Sequence, residues 1–287
     1  MQPIFVGDVQ GCAEELAELL ARARARFGDG FVLYSVGDLV NRGPDNLSVL
    51  RMVRGLHREG RAVVVLGNHE LHLIALRLGV GRAEPSDTLD DVLGAPDRDD
   101  WIEWLRRLPL VHTGVLGRRP FALVHAAVPP TLGLGTLRRA ARRIEARLGH
   151  LDRAEARRLL AGRGPDPDRQ LLEFLTTCRS IRADGRPSPS PPERSEDAWD
   201  HHFAAAGQPH GVVFGHFARR GLHVAAGIRG LDTGLVHHGR DRDGVLTAWL
   251  PDPAEEDPFR VPDDRFWTVP ARRVYFPFGR RSGAAGG

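Results

Sequence analysis

The 287-residue chain has 41% hydrophobic residues, which suits one large α/β domain with an inserted cap better than two independent domains. The net charge of +3 is small and no nucleic-acid-binding module is recognised, so we expect no nucleic-acid partner. A strand pattern begins close to Met1, and we therefore expect neither a signal peptide nor a transmembrane span. Two cysteines, Cys12 and Cys178, form no disulfide framework and indicate a cytoplasmic protein with reduced thiols. The oligomeric state stays open.

Three apolar runs, at residues 3–6, 31–36 and 62–66, are predicted β-strands, and an apolar pattern with helical spacing follows each of them. The loops that join strand to helix are GDVQG (7–11), GDLVNRG (37–43) and GNHE (67–70). Pro44 stands where the second helix would begin. Because sites of α/β proteins collect at the C-terminal edge of the sheet, we expect the three loops to converge on one spot.

Two later predicted strands end in histidine, FALVH at His125 and GVVFGH at His216, and the segment GIRGLDTG carries Asp232. The strand ends together offer a candidate set of metal ligands: Asp8, Gln10, Asp38, Asn68, His125 and His216. Mixed oxygen and imidazole donors suit manganese, iron, zinc or cobalt. The pattern is typical of a two-metal phosphoester hydrolase. We expect Asp38, which is central in the order of these motifs, to bridge the two cations.

The ordered series GDVQG, GDLVNRG, GNHE, a lone VHA and FGH resembles the phosphoprotein-phosphatase branch of the calcineurin-like metallophosphoesterases over nearly the whole chain. Within that branch, GNHELHLIAL, DWIEWLRRLPLV and LDTG are most similar to ApaH-type symmetrical bis(5'-nucleosyl)-tetraphosphatases. The resemblance implies an α/β fold, an αββα sandwich of two mixed sheets flanked by helices, with a helical cap at about 130–183. The single domain would span residues 1–281, and SGAAGG at 282–287 would be a flexible tail.

The same resemblance implies a reaction and a cofactor. Diadenosine tetraphosphate would be cleaved symmetrically to two ADP by a hydroxide that bridges two divalent cations. Mn²⁺ is the expected ion, and Co²⁺, Fe²⁺ and Zn²⁺ are alternatives. The partner would then be a dinucleoside polyphosphate, with no membrane involved.

Individual roles are carried over from the resemblance residue by residue. Asp8, Gln10 and Asp38 would hold the first metal, and Asp38, Asn68, His125 and His216 the second. His69 would be the general acid. Arg42 and Arg179 would bind phosphate oxygens through their planar guanidinium groups. Asp232 would support the site rather than bind metal.

Two positions depart from the pattern of that branch. Gln10 stands where many relatives have histidine, and its neutral amide is a poorer donor, so we expect the first metal to be bound weakly. Asn41 stands where the protein phosphatases have an aspartate that supports the acid histidine. An amide lacks the charge that favours imidazolium, which weakens His69 as an acid and argues against a protein phosphatase.

Several alternatives stay open. The chain could be a broad phosphatase acting on phosphoproteins or phosphomonoesters, or a binding module without chemistry, although the intact ligand set argues against the latter. A helical stretch from about 136 to 161 carries many arginines, which either form a solvated face or attract a polyanionic substrate. Trp101 and Trp104 are either core residues or a surface on which a purine stacks. The Pro/Ser-rich residues 184–197 are predicted to be an exposed loop.

Overall fold

The computed structural model describes residues 1–150, 152–162, 166–239, 242–260 and 264–275. In chain order the strands are β1 (Gln2–Val6), β2 (Phe31–Ser35), β3 (Ala62–Val64), β4 (Val111–Leu116), β5 (Arg119–Val124), β6 (Ser180–Ile181), β7 (Pro187–Ser188), β8 (Gly211–Phe214), β9 (His223–Ala225), β10 (Ile228–Gly230), β11 (Val245–Trp249) and β12 (Phe266–Pro270). The α-helices are α1 (Ala13–Phe27), α2 (Asn46–Arg58), α3 (Asn68–Arg77), α4 (Asp90–Leu93), α5 (Arg98–Leu105), α6 (Leu134–Gly149), α7 (Ala154–Ala161), α8 (Pro167–Thr177) and α9 (Trp199–Ala205).

Two five-stranded mixed sheets form the body of the protein. The first sheet has the order β12-β11-β1-β2-β3, and the second has the order β4-β5-β8-β10-β9. In the first sheet β1, β2 and β3 are parallel, and in the second β5, β8 and β10 are parallel. Because parallel neighbours end at the same edge, each sheet brings several strand C-termini together.

The two sheets pack face to face through an apolar layer. Phe5 of the first sheet lies edge-on to Phe121 of the second, with ring centroids 5.5 Å apart, and also contacts Trp249 at 5.3 Å. Val213 and Leu231 are fully buried in the same layer. Helices α1 and α2 cover the outer face of the first sheet with apolar residues such as Leu19 and Val53, as their helical spacing predicts.

The predicted helix over 136–161 is two helices, α6 and α7. His150 leaves the helical conformation with ψ at 141°, and Ala154 N donates to Asp152 Oδ1 at the start of α7. The buried guanidinium of Arg106 caps the end of α6, because it donates to the carbonyl oxygens of Leu148 (2.9 Å) and His150 (2.6 Å). Orphan carbonyls at a helix end need such partners.

The prediction of an exposed loop over 184–197 is wrong at Pro187 and Ser188. These two residues are buried and form β7, which pairs with β6. Ser188 O also accepts a hydrogen bond from Arg179 N at 2.8 Å. The Pro/Ser-rich segment therefore holds the stretch of chain that carries Arg179.

Within the described ranges, no helix is both long enough and apolar enough to cross a bilayer. The predicted tail at 282–287 and the last residues of the predicted domain, 276–281, lie outside the described residues.

Candidate metal centre

The strand-end loops converge on one cavity of about 420 Å³. Most of the residues predicted to act there line it: Asp8, Gln10, Asp38, Arg42, Asn68, His69, Arg179, His216 and Asp232. His125 lies directly behind this surface with no solvent exposure, and its Nε2 is 3.0 Å from Asn68 Oδ1 and 3.3 Å from Asp38 Oδ2. The structure thus brings every sequence-predicted site residue to one place.

Two imidazoles are held by main-chain carbonyls so that one nitrogen of each faces the cavity. His125 Nδ1 donates to Val36 O at 2.9 Å, which leaves Nε2 towards Asp38. His216 uses the opposite nitrogen, since Nε2 donates to Thr177 O at 3.1 Å. Fixing one ring nitrogen by a second hydrogen bond is how metal-binding histidines are oriented. Ligand atoms of Asp38, His125 and His216 lie within 4.8 Å of one another.

Several carboxylates are buried close together in the cavity, so a positive charge placed among them would be stabilised. Burial and the neighbouring carboxylates of Asp232 and Asp38 raise the pKa of Asp8 well above its usual range. Burial raises the pKa of Asp232 to about 6. Asp38 differs: burial would raise its pKa, but His125 and His69 outweigh burial and lower it. Burial also lowers the pKa of His216 well below its usual value, which keeps the imidazole in the neutral form that binds metal.

This donor chemistry fits divalent cations. Carboxylates crowded together in a low-dielectric site are stabilised when a cation joins them, and the two pre-oriented imidazoles add nitrogen donors. These residues, which already point at one another, therefore form a candidate site for divalent metal ions.

Glu70 organises the loops, and the sequence analysis gave it no role. Its buried carboxylate accepts hydrogen bonds from the N–H groups of Asp38 (2.8 Å), Leu39 (2.7 Å), Val40 (3.2 Å) and Gly67 (2.9 Å). One side chain thus joins the loop after β2 to the start of α3. Asp38 and Asn68 are held at a fixed separation as a result.

The orientation of the Asn41 amide follows from its neighbours. Its Oδ1 accepts from Arg42 N (2.9 Å) and Thr88 N (3.0 Å), so its Nδ2 is the donor to His69 Nδ1 (3.0 Å) and to Asp87 Oδ1 (2.9 Å). His69 Nδ1 therefore accepts, and the neutral ring carries its proton on Nε2. Burial lowers the pKa of His69 despite the opposing charge of Asp38. Both observations agree with the expectation that the imidazolium form of His69 is disfavoured, so that little of it is present to act as a general acid.

Backbone conformation marks the same region. The non-glycine residues with positive φ in the described part of the chain all belong to these loops: Gln10, Asp38, Asn41, Arg42 and His216. Such conformations cost about 1–3 kcal/mol each and cluster at functional sites. Glycines allow the close approach: a β-carbon on Gly67 would overlap the Asp38 carboxylate, and one on Gly215 would overlap that of Asp8.

Arg42 and Arg179 both line the cavity, and different parts of the chain hold their side chains in place. Arg42 is held by the 84–87 loop, through Ser86 Oγ and an ion pair with Glu84 at 3.2 Å. Arg179 donates to the carbonyl oxygens of Pro189 (2.7 Å) and His216 (3.3 Å). The cavity is also lined by residues that the sequence analysis did not single out: Ser86, Phe217, Ala218, Arg219 and His237. Phe217, Ala218 and Arg219 directly follow FGH in the sequence, which could have indicated them, whereas Ser86 and His237 lie far from that motif.

The arginine-rich helices do not line this cavity. Arg147 pairs with Asp168 at 2.9 Å, and Arg153 pairs with Glu103 at 2.8 Å. These ion pairs tie α6 and α7 to neighbouring helices. The interpretation that their arginines face the active site is therefore not supported.

The tryptophan pair lies elsewhere as well. Trp101 is 5% exposed within the core, and its ring centroid is 6.2 Å from that of Trp104. The guanidinium of Arg54 lies 4.8 Å from the Trp101 ring centroid. This burial favours the core interpretation over a purine-stacking surface.

Residues 1–241 match the calcineurin-like phosphoesterase family. The chain belongs to this family, which confirms the predicted αββα fold class and the predicted class of enzyme, a metal-dependent phosphoester hydrolase.

Individual proteins of known name are also similar to this chain. The chain is 36% identical to "Bis(5'-nucleosyl)-tetraphosphatase, symmetrical" of Janthinobacterium sp. (strain Marseille), over 84% of this chain and 91% of that protein. It is 37% identical to the protein of the same name in Shewanella sediminis (strain HAW-EB3), over 82% and 90%. A solved structure called a diadenosine tetraphosphatase is similar with a TM-score of 0.58 and 26% identity, over 94% of this chain and 93% of that one.

Proposed function

We propose that this protein cleaves diadenosine tetraphosphate symmetrically into two ADP. The observation that carries a metal-dependent hydrolysis is the convergence of Asp38, His125 and His216, with each imidazole anchored through its other nitrogen. The substrate is proposed from the names of the two curated relatives, which share 36–37% identity over most of their length.

The ligand set divides between two cations. We propose that Asp8, Gln10 and Asp38 hold the first, and that Asp38, Asn68, His125 and His216 hold the second. When bound, the cations supply Lewis-acid activation of water and of the phosphoryl oxygens. Mn²⁺ is the proposed ion, and Co²⁺, Fe²⁺ and Zn²⁺ also suit this mixture of oxygen and nitrogen donors.

The remaining residues bind and orient the substrate. Arg42 and Arg179 bind non-bridging phosphate oxygens, and Asp232 supports the site from the cavity wall. His69, neutral with its proton on Nε2, donates a hydrogen bond to the departing oxygen. ADP is a good leaving group and needs less proton transfer than a serine alkoxide, so Asn41 suits an anhydride substrate better than a phosphoprotein. Helices α6–α8 act as a cap, whose last helix supplies Thr177 O to His216.

Product analysis tests this proposal. Protein stripped of metal by extensive chelation should be inactive, and Mn²⁺ or Co²⁺ should restore activity better than Mg²⁺. Chromatography of a partial digest should give ADP alone, whereas AMP plus ATP would mean an asymmetric cut and would refute the proposal. An untouched dinucleotide together with rapid turnover of phosphopeptides or monoesters would identify a broad phosphatase instead.

The proposed location is the cytoplasm. Cys12 and Cys178 are both buried free thiols, which agrees with a reducing compartment.

A further inference from the structure

Arg219 is an exposed arginine on the wall of the metal-site cavity, three residues after His216. Its sequence neighbour Arg220 is occupied, since both of its terminal nitrogens donate to the carboxylate of Asp200. Among the residues that the structure describes, Arg219 has no hydrogen-bond or ion-pair partner. Its charge is therefore available to something that enters the cavity.

Arg179 adds a second positive charge beside it. The two hydrogen bonds of the Arg179 guanidinium go to main-chain carbonyl oxygens, so neither is an ion pair. Both guanidinium groups line the same cavity. An anion that enters it can accept hydrogen bonds from both of them.

The cavity has a buried floor and an exposed rim, so the two ends of a long anion bound in it would contact different residues. The carboxylates of Asp8 and Asp38 and the ring of His216 are buried at the bottom of the cavity, whereas Arg219 lies at its exposed rim. A phosphoryl group held at the bottom leaves the rest of a polyphosphate chain directed outward, towards the rim.

We propose that Arg219 binds the phosphate groups that lie outside the scissile anhydride, and that it thereby makes the site selective for polyphosphates over phosphomonoesters. The inference rests on the proposed function and adds a residue to it. A single exposed guanidinium is sufficient because its partner is a chain of several negative charges.

Comparison of two substrates distinguishes binding of the outer phosphates from a general contribution of Arg219 to activity. Arg219→Ala should lower kcat/KM for diadenosine tetraphosphate by about 5- to 20-fold, the range for loss of one hydrogen bond to a charged group, reduced for exposure. It should change kcat/KM for p-nitrophenyl phosphate less than about twofold, because a monoester has no outer phosphates. Arg51→Ala removes an exposed arginine of α2 that does not line the cavity, and should change neither. Equal losses on both substrates, or none on either, would overturn the proposal.

Binding without turnover keeps this test independent of the proposed reaction. Calorimetric titration of the metal-loaded protein with the imido form of inorganic tripolyphosphate, whose P–N–P links resist hydrolysis, at excess free metal, should give a Kd about fivefold weaker or more in Arg219→Ala. The Kd for orthophosphate should stay within twofold. If wild-type protein leaves the dinucleotide intact but shows this difference, the proposed reaction fails and the phosphate subsite stands. If the tripolyphosphate Kd is unchanged, the subsite is refuted whatever the reaction.

Discussion

Replacement of Asn41 by aspartate should destabilise the protein, although the two side chains have the same shape. Asn41 Nδ2 donates to Asp87 Oδ1 at 2.9 Å, and the substitution would turn this hydrogen bond into a contact between two carboxylates. Asp87 also accepts from His72 Nε2 and Glu84 N, both at 2.8 Å, so it is not free to turn away.

The cost can be worked from this geometry. Two carboxylate charges about 4 Å apart repel by about 4 kcal/mol at an effective dielectric constant of 20. One of the two carboxylates can instead take up a proton, which removes the repulsion. At pH 7 this also costs about 4 kcal/mol, because the pKa of an aspartate must rise by about 3 units for it to be protonated there. Arg42, 3.8 Å from Asp87, offsets part of the repulsion, and so does His69, whose Nδ1 lies 3.0 Å from the residue-41 side chain and can donate to a carboxylate there once it is protonated. We therefore expect Asn41→Asp to lose about 2–4 kcal/mol, or about 3–7 °C in Tm.

A double-mutant cycle measures the contact itself. Asn41→Asp, Asp87→Asn and the double variant are compared by urea unfolding at pH 7, and the double variant should recover at least about 1 kcal/mol relative to the sum of the single losses. The recovered coupling should shrink at pH 4, where one carboxyl is protonated in the single variant. A coupling energy below about 0.5 kcal/mol would show that Asn41 and Asp87 do not interact as described.

Other substitutions test separate parts of the site and the fold. Asp38→Asn removes the charge proposed to be shared by both cations, so metal content should fall well below two per chain; unchanged content would refute bridging. His69→Asn should slow hydrolysis of an alkyl phosphoester by about 10²–10⁴-fold and that of a nitrophenyl ester less, whereas equal losses would exclude His69 as donor. The pKa of Asp200 is lowered because His223 and Arg220 outweigh burial. Its stabilisation is thus complete above about pH 4 and lost as pH falls further, so wild type should lose more stability than Asp200→Asn between pH 5 and pH 3, as followed by thermal unfolding.

The sequence predicted the elements that carry local patterns. The apolar runs and Gly-Asp turns of the first eighty residues identified β1 to β3 with their helices, and the motif order identified the family and its fold class. Side-chain type at strand ends was enough to nominate Asp8, Gln10, Asp38, Asn68 and His216, which line the cavity.

Other features depend on contacts between distant parts of the chain. Val36 O and Thr177 O orient the two histidines, but a main-chain carbonyl has no signature in a sequence. The end of α6 is capped by Arg106, more than forty residues away from His150. Pro187 and Ser188 have the composition of a loop, yet pairing with β6 buries them.

The contact between Thr177 O and His216 has a consequence for the modularity of the protein. Helix α8 ends at Thr177, and its final carbonyl sets which imidazole nitrogen of His216 faces the cavity. A chimera that replaced α6–α8 with the corresponding insertion of a relative would have to reproduce that one carbonyl position to keep His216 in the same tautomer. We therefore expect the inserted helices to be exchanged successfully only together with the part of the sandwich that carries His216, and recombination between homologues to be tolerated more readily outside this segment than at its borders.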